Sequence, residues 1–467
     1  MSFSDWSQRV RILVAVASAV TAVLLYAPVG HTDQGPAGAA PADANEWQSW
    51  IDHTVPKPVL PPAPSPPNAQ LSPELASLWR STLSPASGDP LFDDWPSGLD
   101  ALKPGDPIEV RDVTATAAPL AGVPISRALL LKFRTTGASG GASFGTATLL
   151  VPAASWTGPG DRPVLVNAIP INSLGLQCTP SYAMAHGVNS KFSVGDLFPP
   201  ATFLALSRGY GVLIPDHEGP RMAYAEPRVA GHVMLDAIRS VRNVEPNTLG
   251  QSRFAIGGYS GGAIAAYAAD MLLGEYAPEL SGSLAGVALG GLVTDYREVA
   301  HHFDGGLASG ILMVVALAFA REHPELLTQL NNLGEWLATS PVKDTCGDSN
   351  GILGITGVPI EIATNNARPL DTTVAAAMFG NSDFRDRKSA APLYIYHGML
   401  DIWVPETESL NLFADQCSRG VPAVYRSIPG EHTITLMVGF PGAIDWLDQR
   451  LRDLPAPNEC PAPKPGS

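Results

Sequence analysis

Short apolar runs punctuate the middle of this chain, most of them separated by stretches with helical character. Residues 127–133 and 144–151 alternate in polarity and lie close together, which predicts an antiparallel pair of strands. Residues 164–169, 211–215, 254–257, 284–289, 393–396 and 423–428 are short apolar runs, the pattern of parallel strands buried on both faces. Helices are predicted at 201–208, 229–244, 262–273, 406–417 and 442–452. A short helix is also expected over 71–80, with Ser72 as N-cap and Pro73 in its first position. Residues 90–107 carry no regular period. From 295 to 371 the alternation breaks down and apolar helical stretches dominate, notably 311–320. That run reads as a core helix or as the underside of a lid over an apolar channel, and its place between two strands favours the lid. The pattern as a whole predicts an α/β fold with a mostly parallel central sheet, flanking helices and an inserted helical cap.

The N-terminus reads differently. Arg9 and Arg11 precede an uncharged run over 12–27, and small-residue cleavage options follow at Ala37-Gly-Ala39 and Ala40-Pro-Ala42. Residues 1–42 are therefore expected to be a signal peptide or an N-terminal anchor, and either one exports the chain. Residues 43–70, rich in proline, are expected to be an extended linker. The body then divides into 71–294, the cap at 295–371, and 372–467.

Composition narrows the classes. With 45% hydrophobic and 16% charged residues the chain can bury a large core. A formal charge of −15 leaves no basic excess for phosphate, so nucleic acid is excluded as a partner. The four cysteines, Cys178, Cys346, Cys417 and Cys460, suit two disulfides in an oxidising compartment, with three pairings open. None has C-x-x-C spacing, so no metal site is expected.

The chemistry centres on Gly258-Tyr-Ser-Gly-Gly262, a G-x-S-x-G pattern between a predicted strand and a predicted helix. Such a turn exposes the serine hydroxyl and aims the next amides at a bound oxygen. A serine hydroxyl is a weak nucleophile, so it needs a base and a group to hold that base. Asp401 follows the strand that ends near Tyr396, and His432 follows the strand that ends at Ile428. The order Ser260, Asp401, His432 is the one α/β-hydrolases use. His397 precedes the acid and reads as a turn residue. Oxyanion support is expected from the Gly261 amide and from the loop after 164–169, at Asn172 or Ser173. Asp216-His-Glu-Gly219 reads as a tight turn with an anchoring aspartate rather than as a metal site.

These motifs, together with Gln177-Cys-Thr-Pro-Ser-Tyr182, resemble the secretory lipase family of α/β-hydrolases, the group typified by Candida lipase A, from about residue 71 to residue 460. The resemblance implies a triad of Ser260, Asp401 and His432, an inserted cap, and disulfides Cys178–Cys346 and Cys417–Cys460. Fungal members carry an Asp in the oxyanion loop where this chain reads Asn172-Ser173. The expected activity is hydrolysis of apolar acyl esters, with a lipid interface as one setting, no cofactor, and a monomeric chain. Acyl transfer to an alcohol is the alternative within enzymes, and a non-catalytic binding protein on the same fold is the alternative outside them.

Overall fold

The computed structural model describes residues 46–62, 71–187 and 201–461. The expected export segment and residues 43–45 and 63–70 of the expected linker lie outside the described residues. Part of the expected linker is structured: a helix, α1 (Glu46–Thr54), and the residues after it pack on the cap, with Asn332 N donating to Asp52 Oδ1 at 2.8 Å and Trp336 Nε1 donating to Pro56 O at 2.7 Å. The helix α2 (Pro73–Thr82) starts as expected, its Ser72 hydroxyl accepting from the Leu75 amide.

Among the described residues nine strands form one sheet: β1 (Pro107–Asp112), β2 (Ile125–Thr136), β3 (Ala142–Pro152), β4 (Val164–Ala168), β5 (Gly211–Pro215), β6 (Phe254–Tyr259), β7 (Leu284–Gly290), β8 (Leu393–Gly398) and β9 (Ala423–Ile428). Their spatial order is β1-β2-β3-β5-β4-β6-β7-β8-β9. Pairing is antiparallel from β1 through β3 to β5, and parallel from there to β9. Strands β4, β5, β7 and β8 are buried at every position, which is why they read as unbroken apolar runs. The first strand escaped sequence reading. It is an edge strand whose residues are all exposed or half-buried, so no apolar face marks it.

Helices cover both faces. One face packs against α3 (Pro227–Val244) and α4 (Gly261–Tyr276) in a core that includes Val233, Ala265 and Leu272. Between β7 and β8 the chain leaves the sheet and builds the cap, which includes α5 (Tyr296–Phe303), α6 (Ser309–Glu322), α7 (Asn332–Thr339), α8 (Gly347–Gly354) and α9 (Thr373–Asn381). After β8 come α10 (Glu406–Ser418) and, beyond β9, α11 (His432–Leu451). The helix α11 begins ten residues before the predicted 442, since Pro441-Gly442 reads as a breaker. Pro441 forfeits one ladder bond, which burial of Phe440, Ile444, Trp446 and Leu447 offsets. Among the described residues no helix is long and apolar enough to cross a membrane.

Candidate active site

Strand β6 runs straight into α4 through Ser260, whose backbone is left-handed at φ 53 and ψ −121. Few side chains tolerate that conformation, and such strain persists where the surrounding fold imposes it. The fold does so here. A Cβ on Gly258 would lie 2.2 Å from Gly262 O, and one on Gly262 would lie 1.9 Å from Ala168 O. The helix therefore presses against the ends of β4 and β6, and glycine is the residue that fits.

Asp401 and His432 come from loops after neighbouring strands and meet. His432 Nδ1 lies 2.5 Å from Asp401 Oδ2, while Asp401 Oδ1 accepts from the amides of Trp403 and Val404 at 3.0 and 2.9 Å. Burial pushes the Asp401 carboxyl pKa upward, but hydrogen bonds from His397 and His432 outweigh it and hold the group well below its ordinary range. It stays ionised and can support an imidazolium. His432 opens α11 behind its N-cap Glu431, and Tyr259 Oη donates to the His432 carbonyl at 2.6 Å. The His432 Nε2 atom is buried and has no hydrogen-bond partner among the described residues. Ser260 and His432 line one cavity without bonding each other.

That cavity holds about 460 Å³ and is mainly apolar. Its floor is Ser260, Gly261 and His432, and its roof is the cap, including Ile311, Val315 and Phe319 of α6 and Met378 of α9. The run 311–320 is therefore the underside of the cap, and the roof continues past residue 371 into α9.

The loop after β4 separates the two oxyanion candidates. Asn172 adopts φ 49 and lines the cavity, and its Oδ1 is buried without a hydrogen-bond partner among the described residues. A Cβ on Gly261 would sit 2.0 Å from that atom, so the carboxamide faces the elbow directly. Ser173 turns away from it. It is fully buried, its amide donates to Glu218 at 3.2 Å, and its hydroxyl donates to Ile171 O and accepts from Gly347 N. No donor of Ser173 is left for a substrate oxygen.

Sequence reading missed how this loop is held. The turn 216–218 anchors it with three successive side chains. Asp216 accepts from the Ser181 amide, His217 Nε2 lies 2.8 Å from Ile169 O, and Glu218 accepts from Ser173. Burial lowers His217 to about 4, so it is neutral and donates. Arg321 of α6, also buried, donates to the carbonyls of Leu174, Arg221, Met222 and Lys343, tying the loop to the cap. Among the described residues no group of three or more His, Cys, Asp or Glu is arranged to hold a metal.

The disulfides join Cys178 to Cys346 and Cys417 to Cys460. The first links the loop after β4 to the cap beside three further ties: Leu174 N to Thr345 O, Gly347 N to Ser173 Oγ, and Asn350 Nδ2 to Asn172 O. Removing it with Cys178→Ser and Cys346→Ser is expected to lower kcat/KM about tenfold, less than the 10²–10³ of a lost oxyanion donor. Cys417→Ser with Cys460→Ser, remote from the loop, should leave kcat/KM unchanged. Ester hydrolysis measured well below each variant's unfolding transition checks both.

Comparison with known proteins agrees with this architecture. Residues 201–459 match the family described as Secretory lipase. Lipase 10 of Candida albicans is 26% identical over 420 residues, covering 83% of this chain and 86% of its own. A Mycobacterium tuberculosis protein named "Probable inactive lipase MT1628" is 27% identical over 379 residues, covering 79% of this chain and 83% of its own. The closed form of Candida antarctica lipase A superposes with a TM-score of 0.70 at 23% identity, covering 80% of this chain and 90% of that one.

Proposed function

The chain belongs to the secretory lipase family and is an ester hydrolase, and from that premise we propose that it is an exported serine carboxylester hydrolase acting on apolar acyl esters through Ser260, His432 and Asp401. The observation that carries this reading is a strained, half-buried serine and a buried His–Asp pair that share the floor of one apolar cavity.

In this scheme the acyl chain lies under the cap and the ester carbonyl reaches Ser260. His432 Nε2 takes the hydroxyl proton as Oγ bonds to the carbonyl carbon. Asp401 holds the imidazole and offsets its positive charge. The negative charge on the carbonyl oxygen falls to Gly261 N–H and the Asn172 carboxamide. A half-turn of that carboxamide exchanges Oδ1 for Nδ2 at the same place and presents a donor. The alcohol leaves with the proton from His432, and water, activated by the same base, releases the acid. Export is supported by the basic-then-apolar N-terminus, by two disulfides and by the secretory character of the family.

One relative carries "inactive" in its name, so turnover needs a direct test. A fluorophosphonate probe is expected to label the protein at Ser260 alone, located by peptide mass spectrometry. A folded protein that took no label would point instead to a binding protein on this fold.

A further inference from the structure

A second histidine touches the acid of the triad, and the scheme above gives it no task. His397 is fully buried at the end of β8. Its Nε2 lies 2.9 Å from Val404 O and 3.3 Å from Asp401 Oδ2, the oxygen that also faces His432. Its Nδ1 lies 2.7 Å from Ser409 Oγ, on α10. The partners dictate the tautomer. A carbonyl and an ionised carboxylate only accept, so Nε2 carries the hydrogen, and Nδ1 accepts a hydrogen bond from the Ser409 hydroxyl.

Val404 closes the arrangement by donating its amide to Asp401 Oδ1 while its carbonyl accepts from His397. Asp401 is thus gripped on both oxygens, by two amides and two imidazoles. The other titratable groups nearby are committed elsewhere. Tyr259 bonds the His432 carbonyl, with the Tyr396 ring packed against it at a tilt. Glu431 caps α11. Glu408, beside Ser409, accepts from the amides of Thr294 and Asp295, and His302 Nε2 lies 3.3 Å from Ile402 O.

We propose that His397 is a positioning residue for the reaction: oriented by Ser409, its Nε2–H fixes Asp401 Oδ2 and draws off part of its charge, which sets how strongly the carboxylate binds His432. The idea rests on the triad reading of Ser260, Asp401 and His432. Its consequence has a definite sign. With His397 gone, more of the carboxylate's charge faces His432 and favours the imidazolium, so a higher pH is needed to free the base. The acid limb of the kcat/KM profile then moves up.

The test measures kcat, KM and their pH profiles on a soluble p-nitrophenyl ester for His397→Leu, His397→Gln and Ser409→Ala. For His397→Leu, kcat is expected to fall about ten- to a hundredfold, the scale of a hydrogen bond to a charged group, with KM unchanged and the acid limb shifted upward. The Gln side chain can place an N–H where Nε2 was, so His397→Gln should recover most of the loss. Ser409→Ala should shift the limb in the same direction by less, and it supplies the answer if His397→Leu fails to fold. A folded His397→Leu with an unmoved acid limb overturns the proposal, as does a His397→Gln displaced as far as His397→Leu, or an unmoved Ser409→Ala where the leucine variant does not fold. Failure of the triad itself would look different, since Ser260→Ala would then keep its activity.

Discussion

Ser260→Ala is expected to cut hydrolysis of p-nitrophenyl esters about 10⁶-fold, the scale seen when a triad nucleophile is removed. The loss belongs to one atom. Among the described residues the Ser260 side chain has no hydrogen-bond partner, so deleting Oγ leaves the His432–Asp401 pair and the elbow backbone as they are. A residual rate of about 10³–10⁴ over water is expected, because the oxyanion donors and the cavity still bind and polarise the ester. Stability separates this from damage. Ala tolerates φ 53 no better than Ser, so the unfolding midpoint should hardly move. Ser260→Gly loses the same atom and relieves the backbone, so it should be equally inactive and more stable by about 1 kcal/mol. Initial rates and thermal unfolding of the two variants check the prediction. Retention of more than a few per cent of activity by either would remove Ser260 from the mechanism.

How far the site could be read from sequence depended on whether each residue's role is local. The buried strands and the elbow were legible because their signals are local: apolar runs, and glycines where any Cβ would collide. The meeting of Asp401 and His432 was legible through chain order, since each follows its own strand on a parallel sheet. What failed was non-local. The edge strand β1 carries Glu109, Arg111 and Asp112 and has no buried face to betray it. Asn172 and Ser173 are adjacent and both polar, and what separates them is Glu218, 45 residues away, which takes the Ser173 amide. His397 read as a turn residue because its partners Val404 and Ser409 are reached only once β8 and α10 are folded. The helix Glu46–Thr54 was hidden for the same reason: the surface it packs on, around Asn332, lies 280 residues further on.

Replacing Asn172 gives the second large effect, and one that changes shape with pH. Asn172→Gly suits the left-handed backbone at this position while deleting the carboxamide, so the loop should keep its course. Loss of one oxyanion donor then lowers kcat about 10²–10³-fold with little change in KM, because the donor matters most when charge develops on the carbonyl oxygen. Asn172→Asp keeps size and backbone preference but substitutes a group that titrates. Protonated, the new carboxyl donates as the amide did; ionised, it only accepts and turns like charge toward the oxyanion. Activity should therefore be present below the pKa of that carboxyl and lost as pH rises through it. His432 imposes the opposite demand, since it must be neutral to act as base and activity is lost as pH falls. The variant's kcat profile is thus a narrow bell with an alkaline limb that the wild-type carboxamide, which does not titrate, cannot produce. Profiles of kcat against pH for wild type, Asn172→Gly and Asn172→Asp on one soluble ester decide the matter. Glycine within threefold of wild type, or an aspartate variant whose profile keeps the wild-type shape, would return the oxyanion to backbone donors alone.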